Sequence, residues 1–191
     1  MTVIDSPEVS SVLARPSWLP ALDVDDAGPE APTDRLPGLD EIEQRCWDAF
    51  LESSTRLLET LHHRLVDIHQ FTMFDFLVLD VLAKSRGGSA RMGDLAHALV
   101  VGPSRVTQQV QRLEAAGLVR RSRSTHDGRG VIASITRLGL MRVKPAANTY
   151  GREIRKRYLN QMSRQQMISL GDSCRRISEP LHAAVDSERR F

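Results

Sequence analysis

The sequence is short of cysteine, with only Cys46 and Cys174 among 191 residues. Two thiols cannot make a disulfide framework. Neither sits in a C-x-x-C or paired Cys/His spacing, which argues against secreted mini-domains and ordinary zinc folds, and a reducing cytoplasm is the expected location. Long apolar runs are lacking too: the most apolar stretch, Phe71 to Ala83, is cut by Asp75 and Asp80 and falls short of the roughly 20 residues of a bilayer span. No membrane partner is expected. The opening residues carry Asp5 and Glu8 where an export signal places Lys or Arg, and no apolar core follows before Pro16 and Pro20, so export is not indicated. Lysine is scarce as well, 3 against 23 arginines. That excess runs through every segment and by itself says little about phosphate binding.

What is present is unevenly placed. Residues 1–37 hold seven acids against Arg15 and Arg35, a net charge of −5, and six of the nine prolines; the remainder of the chain carries +7. A Pro-rich acidic stretch with few aliphatics buries too little surface to offset its ordering entropy, and 1–37 reads as a disordered tail. Trp18 and Leu19 within it are read as an exposed pair, with a short docking anchor as the other reading.

From Leu39 the pattern turns helical. Leu39, Ile42, Cys46, Phe50, Leu57, Leu58, Leu61, Leu65 and Ile68 recur at near-helical spacing, predicting a long first helix. Thr72 is a fitting N-cap for a second, apolar nearly all round and so central to the core, which Gly87-Gly88 ends. Two short helical patterns follow, Met92 to Leu99 and Pro103 to Ala116, joined through Val100-Val101-Gly102, the spacing of a helix-turn-helix. Gly102 serves as N-cap, Pro103 suits the first helical position, and Gly117 stops the helix. Leu118 to Ser122 and Val131 to Ile135 flank the turn-forming Thr125-His126-Asp127-Gly128 and predict a two-stranded hairpin. After Gly139 come two more helices, about Met141 to Asn160 and Ser163 to Val185, the second opened by the capping-box pattern Ser163-Arg164-Gln165-Gln166. Their apolar positions, among them Val143, Ile154, Met167, Leu170 and Ile177, exceed what a compact winged helix needs and call for a partner. The fold class is mainly α with a small β wing.

Off the buried face of the second helix of the pair lie Ser104, Arg105, Thr107, Gln108, Gln111 and Arg112, with no carboxylate before Glu114. Such a face fits a DNA major groove, where Arg reads guanine, Gln reads adenine and hydroxyls serve phosphate or base. The alternative is a merely solvated polar face. Arg120, Arg121, Arg123 and Arg129 follow in a short span whose only acid is Asp127, and a basic hairpin beside a carboxylate-free helix tilts the reading toward phosphate.

With these residues in place, the stretch from about Thr72 to Gly139 resembles the multiple-antibiotic-resistance regulator (MarR) family of winged-helix transcription factors. The resemblance is carried by Pro103-Ser104-Arg105-Val106-Thr107, Arg112-Leu113-Glu114-x-x-Gly117-Leu118-Val119, Asp127-Gly128-Arg129 and Ile135-Thr136-x-x-Gly139. The flanking helices extend it over about Leu39 to Ala184, with 38–70 and 140–191 as dimerisation helices around a winged helix at 71–139. The resemblance implies a homodimer that binds an inverted-repeat operator in double-stranded DNA, most often as a repressor. It further implies that Arg129 enters the minor groove at the wing tip while Asp127 orients the hairpin by pairing with a nearby Arg; the same residues also make an Asp-Gly turn, and both roles are expected together. It also implies a small aromatic or phenolic effector bound between the dimer helices and the DNA-binding lobe. Two departures stand out: Gly102 replaces the frequent Ser or Thr cap, and Gln108 replaces a frequent basic residue.

Competing motifs fare worse. Gly128-Arg129-Gly130-Val131-Ile132-Ala133 spells G-x-G-x-x-A, yet β-branched residues follow it and no acid stands about twenty positions on. Gly87-Gly88-Ser89-Ala90 opens like a nucleophile elbow that Arg91 fails to close. No enzyme activity and no cofactor are expected. His62, His63 and His69 lack a matched acid or Cys pair and read as capping or solvated residues rather than metal ligands. Cys46 resembles the thiol of redox-sensing members of the family, but Glu41, Glu43 and Asp48 oppose Arg45 around it, and it reads as a partly buried helix-face residue. Besides a DNA-binding regulator, a helical protein-interaction module remains as the reading from another class.

Overall fold

The computed structural model describes residues 36–123 and 130–188. The expected tail up to residue 35, with Trp18, and the wing turn with Asp127 and Arg129 lie outside the described residues. The chain divides into two units, residues 1–52 and 53–191.

In the first unit Asp40 caps α1 (Glu41–His69). Its Oδ1 accepts from the amides of Ile42 and Glu43 at 2.8 and 2.9 Å, and Glu43 Oε2 accepts from the Asp40 amide at 2.9 Å, the reciprocal pairing of a capping box. Ile42, Trp47, Phe50 and Leu51 are exposed along this part of the helix.

The second unit is built around α2 (Met73–Lys84). Thr72 caps it as expected: its Oγ1 accepts from the Asp75 amide at 3.0 Å, while Asp75 Oδ2 accepts from the Thr72 amide at 2.8 Å. Phe76, Val78, Leu79 and Leu82 are buried, which is why this helix carries almost no polar face. Leu65 of α1, Leu95 of α3 (Met92–Ala98) and Val106, Val110 and Leu113 of α4 (Pro103–Ala115) join the same core. The last three stand at i, i+4, i+7, and each contributes about 1.5–3 kcal/mol by its burial. Gly102 caps α4 without a side chain, Pro103 opens it, and Gly117 takes the left-handed backbone (φ 72°) that ends it.

The hairpin forms from β2 (Val119–Arg123), shifted one residue along from the expected Leu118 to Ser122, and β3 (Val131–Ile135), at its expected limits, but the sheet has three strands in the order β1-β3-β2. β1 (Ser89–Arg91) lies antiparallel to β3, Ala90 opposite Ala133. Three residues are too few to show a strand's alternation, so the segment after Gly87-Gly88 carried no sequence signal. A second correction concerns Gly139, expected to precede the next helix. α5 (Arg137–Arg157) starts two residues earlier, capped by Thr136, whose Oγ1 accepts from the Gly139 amide at 3.0 Å. Gly139 is buried in the first turn, and only glycine fits there, because an added Cβ would collide with the Leu118 carbonyl oxygen. α6 (Arg164–Glu188) opens on the Ser163/Gln166 pairing. Its residues Ile168, Ile177 and Leu181, like Leu58, Val66 and Ile68 of α1, are exposed apolar side chains.

Candidate nucleic-acid interface

The centre of the candidate site is α4, whose inward row of Val106, Val110 and Leu113 fixes what faces outward. Ser104, Gln108 and Gln111 stand at i, i+4, i+7 on the opposite side, all exposed, so their side chains project as one row. They offer hydroxyl and amide groups and no carboxylate, a set that pairs with base edges and phosphates alike. Thr107 is half-buried at the edge of this row, and its Oγ1 donates to the Pro103 carbonyl at 2.9 Å.

Both flanks of the helix are held. On one, Arg105, Gln109 and Arg112 meet the first turn of α2: the Arg105 guanidinium lies 4.9 Å from the centre of the Phe74 ring, a cation–π distance. Gln109 Nε2 and Arg112 Nη2 both donate to Oδ1 of the buried Asp75, and Arg112 Nη2 also reaches Thr72 Oγ1 at 3.2 Å. On the other flank Arg121 of β2 is tied to Glu114. Its amide and guanidinium hold that carboxyl below its ordinary value of 4.5, the amide bond being the larger cause.

The structure therefore separates the residues predicted from sequence. Ser104, Arg105, Gln108 and Gln111 are brought together on the exposed face; Arg123, with Arg120, is exposed on the wing strand. Arg112 and Arg121, expected on the DNA face, have their guanidinium groups on Asp75 and Glu114 instead. Asp127 and Arg129 lie outside the described residues. Sequence reasoning missed Phe74, Asp75 and Gln109 as parts of the site. One signal was available, since Thr72-x-x-Asp75 ahead of an apolar run is a capping-box pattern that marks Asp75 as a folded-back carboxylate.

Behind this flank an open pocket of about 180 Å³ is lined by Phe71, Asp75, Arg112, Leu113, Leu138 and Arg142, among others. Arg142 lies over the Phe71 ring, 5.3 Å from its centre, and donates to the His69 carbonyl at 3.0 Å. Among the described residues no His/Cys/Asp/Glu group is arranged to hold a metal. His62 Nδ1 accepts from the Met73 amide at 3.2 Å, and His69 Nε2 pairs with the buried Thr149 Oγ1 at 2.8 Å. Cys46 is exposed, not partly buried as expected: it stands on the stretch of α1 where Ile42, Trp47 and Phe50 are exposed as well. No described helix is long and apolar enough to cross a membrane.

Comparison with known proteins bears on this geometry directly. The MarR family model matches residues 69–130. AbsC, a MarR family transcriptional regulator from Streptomyces coelicolor, is 31% identical, with a TM-score of 0.74 over 76% of this chain and 97% of that one. Sco3205, a MarR family transcriptional regulator from the same organism solved in complex with DNA, is 29% identical, with a TM-score of 0.73 over 75% and 93% of the two chains. A mutant MarR from E. coli complexed with operator DNA shares the fold at 17% identity, with a TM-score of 0.63 over 70% and 93%. No curated protein matches the chain. With a three-stranded winged helix, the family's model across its helix-turn-helix and a regulator covered almost end to end at this identity, the chain belongs to the MarR family of transcriptional regulators rather than to a family of enzymes.

Proposed function

We propose that the protein is a sequence-specific DNA-binding repressor that acts in the cytoplasm as a homodimer on an inverted-repeat operator. The observation that carries this reading is the outward row of α4: Ser104, Gln108 and Gln111, free of carboxylates, with Arg105 at its edge. In a major groove this row meets base edges, while Arg123 and Arg120 of the wing strand meet phosphates and Arg129 at the wing tip enters the flanking minor groove. Arg112 and Arg121 take part only by leaving Asp75 and Glu114. Sco3205, a relative matched over 93% of its own chain, was solved with DNA, which supports the same partner here.

Dimerisation is supported by apolar side chains that a monomer leaves in water: Leu58, Val66 and Ile68 on α1, and Ile168, Ile177 and Leu181 on α6. Their burial against a second copy adds the hydrophobic term that single exposed residues forgo. Release by a small aromatic or phenolic effector is supported by the pocket beside Arg112 and Arg142, where a guanidinium faces an aromatic ring. The test is enrichment of genomic fragments by the purified protein. A single palindrome with half-sites roughly one turn, about 10 bp, apart is expected; enrichment of no sequence contradicts the reading and favours a protein-binding winged helix.

A further inference from the structure

We propose that Asp75 is a positioning residue for the reading helix: from the first turn of α2 it fixes the rotation of α4 about its axis and keeps the Arg112 charge away from DNA. The inference rests on the reading of α4 as the groove-bound helix and adds to it what sets that helix's angle.

Asp75 is 4% exposed, and both its oxygens are fully engaged. Oδ2 accepts from the Thr72 amide at 2.8 Å and from Thr72 Oγ1 at 2.7 Å, which fixes the carboxylate to its own helix. Oδ1 accepts from Gln109 Nε2 and Arg112 Nη2, which fix it to α4. A carboxylate has about four lone-pair sites, so these four donors satisfy it. Burying a charge is costly unless it is paired in this way. An apolar side chain at the same place would fill the space, but dispersion contacts are non-directional and allow a helix to roll. Two hydrogen bonds to residues three positions apart on one flank do not. Arg105 on the Phe74 ring, one turn earlier on the same flank, extends the seam, so Arg105, Gln109 and Arg112 at i, i+4, i+7 form a hinge line against α2. A roll about that line would carry Ser104, Gln108 and Gln111 across the groove, and base recognition depends on placement within fractions of an ångström.

The second consequence is electrostatic. Arg112 has 55% of its side chain exposed and stands one position from Gln111, close enough to the DNA face to reach a phosphate if released. Paired with Asp75 it adds no cation to the sequence-independent attraction that all duplexes share. The pairing thereby raises discrimination at the expense of bulk affinity.

The experiment compares wild type, Asp75→Asn and Asp75→Asn/Arg112→Gln on two probes: a random-sequence duplex, and the genomic fragment that the wild type enriches most. Asn retains an oxygen for the Thr72 amide, so the cap of α2 survives. In Asp75→Asn the slope of log affinity against log salt on the random duplex steepens by about one per subunit, as one more phosphate is neutralised, and the preference for the enriched fragment over the random duplex falls several-fold. Adding Arg112→Gln returns the slope to the wild-type value without restoring the preference. A purely structural role for Asp75 lowers the melting temperature and moves neither slope nor preference, and that result overturns the proposal. So does a double-variant slope shallower than wild type, because it puts Arg112 on phosphate already in the native protein. If Asp75→Asn does not fold, the double variant, with no charge left at the junction, decides on the same two readouts. Identical preference in all proteins, with the wild type binding its fragment, sinks the role of Asp75 and leaves the DNA-binding reading intact; failure of the wild type to prefer any fragment sinks both.

Discussion

Arg121 grips Glu114 twice, its backbone amide donating to Oε1 at 2.8 Å and its Nε to Oε2 at 2.6 Å. The contact joins the last turn of α4 to β2 of the wing through an ionised carboxylate. Glu114 is held below its ordinary value of 4.5. A depressed folded-state value means that its contribution is complete above the unfolded value and is lost as pH falls through the folded one. Glu114→Gln is therefore expected to melt at a lower temperature than wild type at neutral pH, with the gap closing below about pH 4.5. Thermal melts of both proteins across that range check this; a gap that does not change with pH contradicts it.

His69 works on a different limb. Burial, followed by the charges of Arg142 and Arg152, pushes its value below the ordinary 6.5. The folded state therefore resists a proton that the unfolded state accepts, and stability falls as pH drops below 6.5 toward the folded value. His69→Gln can keep a bond to Thr149 Oγ1 and does not titrate. The melting temperature of this variant is expected to decline less between neutral and mildly acidic pH than that of wild type; parallel declines contradict the assignment.

Gly139 tests the packing of α5 against the wing. An added Cβ collides with the Leu118 carbonyl oxygen and meets Ile135 Cγ1 at 2.7 Å, and the first of these is backbone that cannot swing aside. Gly139→Ala is expected to cost about 1–3 kcal/mol by overpacking, although alanine is otherwise the better helix former. Denaturant titration checks the sign: a stabilised variant contradicts this geometry.

The proposed dimer is tested on α6. Ile177 is 62% exposed and Leu170 lies half-buried two turns before it. Replacing both with Asp puts charges into an apolar seam that cannot pair them, and light scattering is expected to show a dimer for wild type and monomer or unfolded chain for the variant. A folded, monodisperse wild-type monomer contradicts the dimer.

Much of this architecture is legible in the sequence where the signal is local. Pro103 and Gly117 bracket α4, Thr72 announces α2, and the inward row of α4 follows from spacing alone. What is not legible depends on residues far apart in the chain. Spacing places Arg112 off the buried face, but only the fold brings it to Asp75, 37 positions earlier. Arg121 likewise reads as one more basic residue of a wing until β2 folds back against Glu114. β1 is visible only through its partner β3, and the need for glycine at 139 only through the Leu118 carbonyl. Periodicity reports which side of a helix a residue is on; it does not report what the neighbouring element offers to that side.

In the proposed complex with DNA the outward row of α4 reads bases. Gln108 is its middle residue, exposed and away from both gripped flanks, so Gln108→Ala removes a reading group without disturbing the contacts of Arg105, Gln109, Arg112 or Glu114. Titration of wild type and Gln108→Ala at one salt concentration against the enriched palindrome, and against its variants changed one base pair at a time, measures this directly. A loss of about 1–3 kcal/mol and relaxed preference at one position in each half-site are expected, with the other positions read as before. An unchanged preference profile, or a uniform loss at every position, contradicts it.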